Sequence, residues 1–172
     1  MAILQKTLTT ILASSIFAIS SFAAVDNNQE NESCNFSIND AWIRPAQSGN
    51  TALYMNIKAN TDAGKDASLI SASVYSLTND GKAIPDVTGD VELHDTKDEN
   101  GTIKMFSVKA MQLENGSLTL EPKKKHIMLM HLKKSLTEVT GANPATVNVR
   151  LAFSDGSVCK TTAVIRSAGA SK

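Results

Sequence analysis

Residues 146–165 read TVNVRLAFSDGSVCKTTAVI, and this stretch decides the fold class of the chain. Every second residue from Val147 to Phe153 is apolar, which is the pattern of a strand with one buried face. Asp155-Gly156 follows as a turn signal, and a second strand is expected over Val158–Ile165. The stretch therefore predicts a β-hairpin.

Similar short segments recur along the body of the chain, whereas helical periodicity is not sustained. Further strands are predicted over Thr51–Ala59, Ser117–Leu120, Phe36–Arg44, Ser68–Tyr75, Val91–Asp95 and Lys104–Lys109. The segment Tyr75–Asp90 is interpreted as a hairpin or an inserted loop. Many short strands separated by turns predict an all-β fold, either an immunoglobulin-like β-sandwich or a small Greek-key barrel.

Both ends of the sequence predict segments outside this fold. Residues 1–24 carry one cation, Lys6, then an apolar stretch and a small-residue exit, which is typical of a secretory signal peptide. A transmembrane anchor is the alternative, but polar residues interrupt the apolar run and leave it short of the roughly 20 residues that a span needs. We expect a disordered leader over 25–33, a single domain over 34–166 and a flexible tail over 167–172. The mature protein is therefore predicted to be exported to the periplasm without a membrane anchor.

The charge balance excludes some partners. The chain has 17 Lys and Arg residues against 17 Asp and Glu residues, so its formal net charge is zero. Proteins that bind nucleic acid need a basic excess to neutralise phosphate, and we expect no such partner. The sequence also offers no recognisable Ser/His/Asp set, Gly-rich phosphate loop or paired catalytic carboxylates. A monomer without enzymatic activity is expected.

Cys34 and Cys159 are the only cysteines in the sequence. In an oxidising compartment an even pair most simply forms a disulfide. The alternatives are a redox pair or two metal thiolates, although the wide spacing is unlike a CxxC redox motif. In the chain-entropy model a loop of this length gains about 4–5 kcal/mol from the cross-link.

Histidine and methionine are concentrated in one window. Seven of the eight His and Met side chains that follow the predicted signal peptide lie between residues 94 and 131: His94, Met105, Met111, His126, Met128, Met130 and His131. In the strand-like run 125–131, period two places His126, Met128 and Met130 on one face. A neighbouring strand with His94 and a segment with Met105 would complete a set of two imidazoles and two thioethers.

Such a donor set favours copper. Thioether sulfur is soft and neutral, and Cu(I) accepts thioether and imidazole ligands together, whereas Mg²⁺ and Ca²⁺ prefer oxygen. Methionine also remains a usable ligand in an oxidising compartment, where a thiol would be lost to disulfide formation. The alternative from the same residues is that the methionines fill the core. The chain would then be a β-sandwich interaction or adhesion module of the cell envelope that binds no metal.

At this point the sequence resembles a known family. His94, ten intervening residues, Met105, twenty residues and then His126-Ile-Met128 is similar to the H-x10-M-x21-H-x-M signature of the periplasmic PCu(A)C copper chaperones. The flanks are similar too, and they read DAWIRP at 40–45, ALYMNI at 52–57, VELH at 91–94 and LEP at 120–122.

The resemblance implies a cupredoxin-like β-sandwich with His94, Met105, His126 and Met128 as ligands of Cu(I), and Cu(II) is the second candidate oxidation state. It also implies a copper-acceptor partner, which is a cytochrome c oxidase subunit with its binuclear copper centre or an assembly factor. An electron-transfer cupredoxin is disfavoured because a blue-copper site needs a Cys thiolate beside two histidines.

The sequence departs from the family pattern near the expected site. Lys124-Lys125 stands where a Gly-Gly pair is usual, and cations close to Cu⁺ should weaken binding unless they point away. His131 replaces a common Gly and is interpreted as either a surface residue or an auxiliary ligand. Met130 is the other candidate auxiliary ligand. Trp42 is expected in the core.

Overall fold

The fold is described from a computed structural model, in which residues 33–79, 82–137 and 145–167 are described. These ranges contain eleven strands: β1 Phe36–Ile43, β2 Thr51–Ala59, β3 Ser68–Asn79, β4 Lys82–Pro85, β5 Asp90–Glu99, β6 Thr102–Val108, β7 Met111–Gln112, β8 Ser117–Leu120, β9 His126–Met130, β10 Thr146–Phe153 and β11 Val158–Ile165. Within them the one helical segment is a 3₁₀ turn at Asp62–Gly64. The all-β prediction is confirmed. The predicted signal peptide, the leader up to residue 32 and the tail beyond Ser167 lie outside the described residues.

The strands form one hydrogen-bonded sheet in the order β4-β3-β10-β11-β1-β2-β9-β5-β6, with β7 on β3 and β8 on β2. Over the described strands this path runs between two free edges, so the sheet is open and does not close into a barrel. β1 and β11 are parallel, and the other pairs are antiparallel. The segment Tyr75–Asp90 contains the β3–β4 hairpin, as one of its two interpretations predicted.

The core lies between the two halves of this curled sheet. In β10 the alternation is complete, because Val147, Val149, Leu151 and Phe153 are at most 1% exposed. The Phe153 ring stacks on Phe36 of β1 with centroids 3.9 Å apart, although β11 separates these strands in the sheet. Burial of about 25 cal/mol per Å² of apolar surface makes this shared interior the main stabilising contribution.

A β-bulge in β1 overturns the prediction for Trp42. The register shifts between Asn39, which opposes Asn56, and Trp42, which opposes Tyr54, so β1 carries one extra residue there. An extra residue exchanges the two faces of the strand beyond it. Ile43 is therefore fully buried in the core, whereas Trp42 lies half-buried on the outer face. Arg166 stacks over its ring at 5.3 Å.

Cys34 and Cys159 form a disulfide, as predicted. Cys34 lies just before β1, and Cys159 lies in β11, the neighbour of β1 in the sheet. The two Cα atoms are 4.8 Å apart. The bond closes a sequence separation of 125 residues.

No helix in the described part of the chain is long and apolar enough to cross a membrane.

Candidate metal centre

Strand β9 separates core side chains from candidate ligands, as period two predicts. Ile127 and Leu129 are completely buried in the core. His126, Met128 and Met130 therefore lie on the opposite face of the same strand. His126 is nevertheless only 3% exposed, and the rings of Tyr54 and His94 lie on either side of it on this outer face.

The two predicted histidine ligands face each other. Strand β5 pairs with β9 so that His94 is directly opposite His126. The ring centroids are 5.6 Å apart, and the ring planes are inclined by 51°. A metal–imidazole bond of about 2 Å, the value for zinc, lets two rings at this separation bind one ion. Strand pairing thus brings together two histidines that are 32 residues apart in the sequence.

Hydrogen bonds indicate which nitrogen of each histidine ring carries the proton. His126 Nδ1 lies 2.6 Å from the carbonyl oxygen of Lys124, which only accepts, so Nδ1 donates and Nε2 keeps its lone pair. His94 Nε2 lies 2.8 Å from Glu92 Oε2. The other nitrogen of His94, Nδ1, is buried and has no hydrogen-bond partner among the described residues. A buried nitrogen without a partner is costly unless it binds something, and this pair of rings therefore fits a soft metal ion.

The two predicted thioether ligands lie on the same face as the histidines. Met128 is opposite Glu92, and Met105 of β6 is opposite Thr96, so each methionine is a diagonal neighbour of His94. Diagonal neighbours in a sheet have Cα atoms about 7–8 Å apart, within reach of long side chains. Met105 is 61% exposed, whereas Met128 is half-buried. The fold places the four residues on one surface, with the two thioethers on opposite sides of His94 along the strands.

The candidate auxiliary ligands lie farther along β9. Met130 is opposite Asp90, two positions beyond Met128. His131 follows the end of the strand with a positive φ of 52°, and its Nδ1 lies 3.2 Å from Asp90 Oδ2. Its side chain is 74% exposed. The structure therefore pairs His131 with Asp90, at the far end of β9 from His126.

An aromatic row covers the side of the site that faces β2. The Tyr54 ring lies 6.3 Å from His126 and 4.5 Å from Trp42. Burial raises the pKa of Tyr54, and the positive charge of Arg44 opposes this only in part, so the phenol is neutral at physiological pH. The site is consequently shielded toward β2 and open toward β6, where Met105 is exposed.

Lysines next to His126 are balanced by carboxylates. Lys124 Nζ lies 2.6 Å from Glu121, whose hydrogen bond and negative charge raise the pKa of the lysine. Lys125 Nζ lies 3.0 Å from Glu114. Lys124 and Lys125 therefore each have a counter-ion that offsets the positive charge beside His126.

Other methionines follow the core-filling alternative. Met55 and Met111 are 1% and 2% exposed and belong to the core cluster. Among the described residues no group of three or more His, Cys, Asp or Glu side chains is arranged to hold a metal.

Sequence reasoning missed two residues that contact the histidines. Glu92 lies two positions before His94, and period two alone places both on one face of a strand. Tyr54 occupies the face of β2 opposite to the apolar series Leu53, Met55 and Ile57, so alternation also signals its position. What it does not show is that Trp42 of β1 and His126 of β9 lie beside the Tyr54 ring on that outer face.

Comparisons with known proteins agree with this fold. The family model described as "Putative lipoprotein LpqE-like" matches residues 36–165. No curated protein gives a significant match. The chain is similar to an apo PCuAC domain from PmoF1, with 18% identity, a TM-score of 0.52 and coverage of 78% of this chain and 95% of that one.

Two copper-loaded structures are similar as well. A copper-bound PCuAC domain from PmoF2 has 14% identity and a TM-score of 0.50, covering 78% of this chain and 94% of that one. The solution structure of CuI-DR1885 from Deinococcus radiodurans has 22% identity and a TM-score of 0.50, with 77% of each chain covered. These similarities confirm the cupredoxin-like fold that the resemblance implied.

Proposed function

We propose that this chain, which belongs to the LpqE-like family, is an exported copper chaperone. It binds Cu(I) through His94, Met105, His126 and Met128 and passes the ion to a partner protein. The observation that carries the proposal is the buried, unpartnered Nδ1 of His94 beside the His126 ring, on a face that also bears two thioethers.

The chemistry of the donors favours Cu(I) as cargo. Two neutral imidazoles and two neutral thioethers suit a soft monovalent ion, and Cu(II) is a secondary candidate because it accepts imidazole more readily than thioether. The exposed Met105 leaves the ion accessible on the β6 side. An acceptor can then add a ligand before the chaperone releases one, and free Cu⁺ is avoided.

The partner is a copper-acceptor protein, and we place the exchange in the periplasm. The apolar N-terminal segment and membership of a family described as lipoproteins both support export. The acceptor proposed is the binuclear copper centre of a cytochrome c oxidase subunit, or an assembly factor for it. The similar structures support copper as the cargo, since two of their names state that copper or CuI is bound.

A Cu(I) titration against a coloured chelator tests the proposal. The wild-type mature protein should compete for about one copper per chain. The variant His94→Gln/His126→Gln keeps side-chain size and hydrogen-bonding capacity but replaces both imidazoles with amides, which are poor ligands for a soft ion. It should not compete.

His131→Asn is the matched control, because it removes the third imidazole and keeps a residue type that tolerates positive φ. This variant should bind copper as the wild type does. Failure of the wild-type protein to compete would refute the chaperone function and leave a β-sandwich that binds no metal.

A further inference from the structure

We propose that Glu92 is a positioning residue that fixes His94 so that the two histidines present different nitrogens, Nδ1 of His94 and Nε2 of His126, to the copper ion. This inference rests on the proposed copper site. It assigns to Glu92 a role that the ligand pattern alone does not contain.

The contact between Glu92 and His94 has a defined direction. Glu92 Oε2 lies 2.8 Å from His94 Nε2, and a carboxylate only accepts hydrogen bonds. Nε2 must therefore carry the proton, and the lone pair of a neutral His94 lies on Nδ1. That atom is the buried nitrogen without a partner. The carboxylate thus turns the free lone pair of His94 inward.

The hydrogen bond that holds His126 uses the other ring nitrogen. Its Nδ1 donates to the Lys124 carbonyl oxygen at 2.6 Å, which leaves the lone pair on Nε2. One ring is anchored by a side-chain carboxylate and the other by a backbone carbonyl, the two groups that most often orient metal-binding histidines. The anchors differ in one respect, because only that of His94 can be removed by mutation of a single side chain.

Glu92 is placed to act on the ion as well as on the ring. It lies directly opposite Met128, so its carboxylate, the His94 ring and the Met128 thioether occupy adjacent positions on one face. The Glu92 side chain is 45% exposed and that of His94 only 14%, so the acid lies on the solvent side of the ring. A carboxylate that accepts a hydrogen bond from Nε2–H makes the imidazole a stronger metal ligand through Nδ1, and its negative charge offsets the positive charge of Cu⁺.

Nitrogen-15 NMR of the imidazole rings tests the assignment in the full mature protein. Before copper is added, His94 should show a protonated Nε2 and a bare Nδ1, and His126 the reverse. Added Cu(I), which is diamagnetic, should shift the Nδ1 resonance of His94 and the Nε2 resonance of His126. A metal-free His94 protonated on Nδ1, or copper shifts at His94 Nε2, would overturn the inference.

Three variants separate positioning from simple structural support. Glu92→Ala should lose the fixed Nε2 proton signal of His94 and weaken Cu(I) binding by about 10- to 100-fold, the usual effect of removing such a partner. Glu92→Gln retains an acceptor oxygen and should recover the proton signal and part of the affinity. Asp90→Asn, on the same face of β5 but paired with His131, should change neither.

The two levels of proposal fail differently. If the wild type does not bind copper, the chaperone function fails, while the nitrogen assignment of the metal-free rings still stands or falls by NMR. If the wild type binds copper and Glu92→Ala binds it equally well with unchanged ring signals, the role of Glu92 fails and the copper site stands.

Discussion

Met128 and Met130 have the same donor atom, and strand register is what separates them. Met128 lies two residues from His126 and opposite Glu92, beside the histidine pair. Met130 lies opposite Asp90, one further step along the strands. A rise of about 3.3 Å per residue places Met130 about 13 Å along β9 from His126, twice as far as Met128. Met128 therefore stays the predicted ligand, as the family pattern implied.

Replacing single methionines tests this choice. Met128→Leu and Met105→Leu should each weaken Cu(I) binding by about tenfold or more, because a ligand is lost. The free energy of unfolding should change by less than about 1.5 kcal/mol, since leucine has nearly the same volume. Chelator competition and urea unfolding give the two quantities.

Met130→Leu is the matched control in the same strand and should bind copper normally. An equal loss of affinity in Met130→Leu and Met128→Leu would show that the ion lies between them rather than beside His94.

Residue chemistry predicted more of the site than of its surroundings. The ligand types and the shared face of His126 and Met128 follow from period two. The anchor of the His126 ring does not, because the Lys124 carbonyl belongs to a turn in which Lys123 adopts a φ of 67°. Sequence patterns give no signal for a backbone carbonyl oxygen that accepts a hydrogen bond from a nearby side chain.

At the scale of elements, strands were located from sequence, but the faces of the irregular strand β1 were not. β2, β8, β10 and β11 have the predicted bounds because apolar alternation and turn residues define both ends. β1 contains a bulge at Asp40, whose φ is 54°, and strict alternation from Phe36 gives the wrong face for Trp42. A single inserted residue does not alter composition, so the pattern could not reveal it.

The β10–β11 turn links stability to pH through Asp155. Its carboxylate accepts hydrogen bonds from the Ser157 backbone N–H and hydroxyl, both at 2.9 Å, and from Asn35 at 3.1 Å. Burial raises the pKa of Asp155, but these hydrogen bonds outweigh it and leave the pKa below its ordinary value. A carboxyl with a lowered pKa in the folded state stabilises the fold above about pH 4, and this stabilisation is lost as the pH falls further.

Asp155→Asn should therefore lower the free energy of unfolding at pH 7 and flatten its decline between pH 5 and 3. Urea unfolding across that range measures both effects. Asp66→Asn, which removes an exposed carboxyl elsewhere, should retain the wild-type slope. A slope in Asp155→Asn as steep as that of the wild type would assign the acid sensitivity to other groups.

At the scale of the whole molecule, strand order is what the sequence could not supply. His94 and His126 meet because β5 inserts between β6 and β9, and that order depends on contacts between distant segments. Local periodicity defines the faces of each strand but not its neighbours. The resemblance to copper chaperones implied a ligand set that unites the two histidines but gave no strand order, and the similar structures confirm the fold it implied.

The disulfide joins the segment before the first strand of the chain, β1, to the last strand, β11. Cys34→Ala/Cys159→Ala should lower the free energy of unfolding by up to about 4–5 kcal/mol, since the unfolded chain regains the freedom of a loop spanning 125 residues. Urea unfolding with and without a thiol reductant measures this, and the double variant should not respond to the reductant.

Cu(I) affinity of the folded variant should stay near the wild-type value, because β1 and β2 lie between Cys159 in β11 and the histidines in β9 and β5. Loss of copper binding in a folded, reduced protein would instead show that the bond holds the sheet in the shape that the site requires.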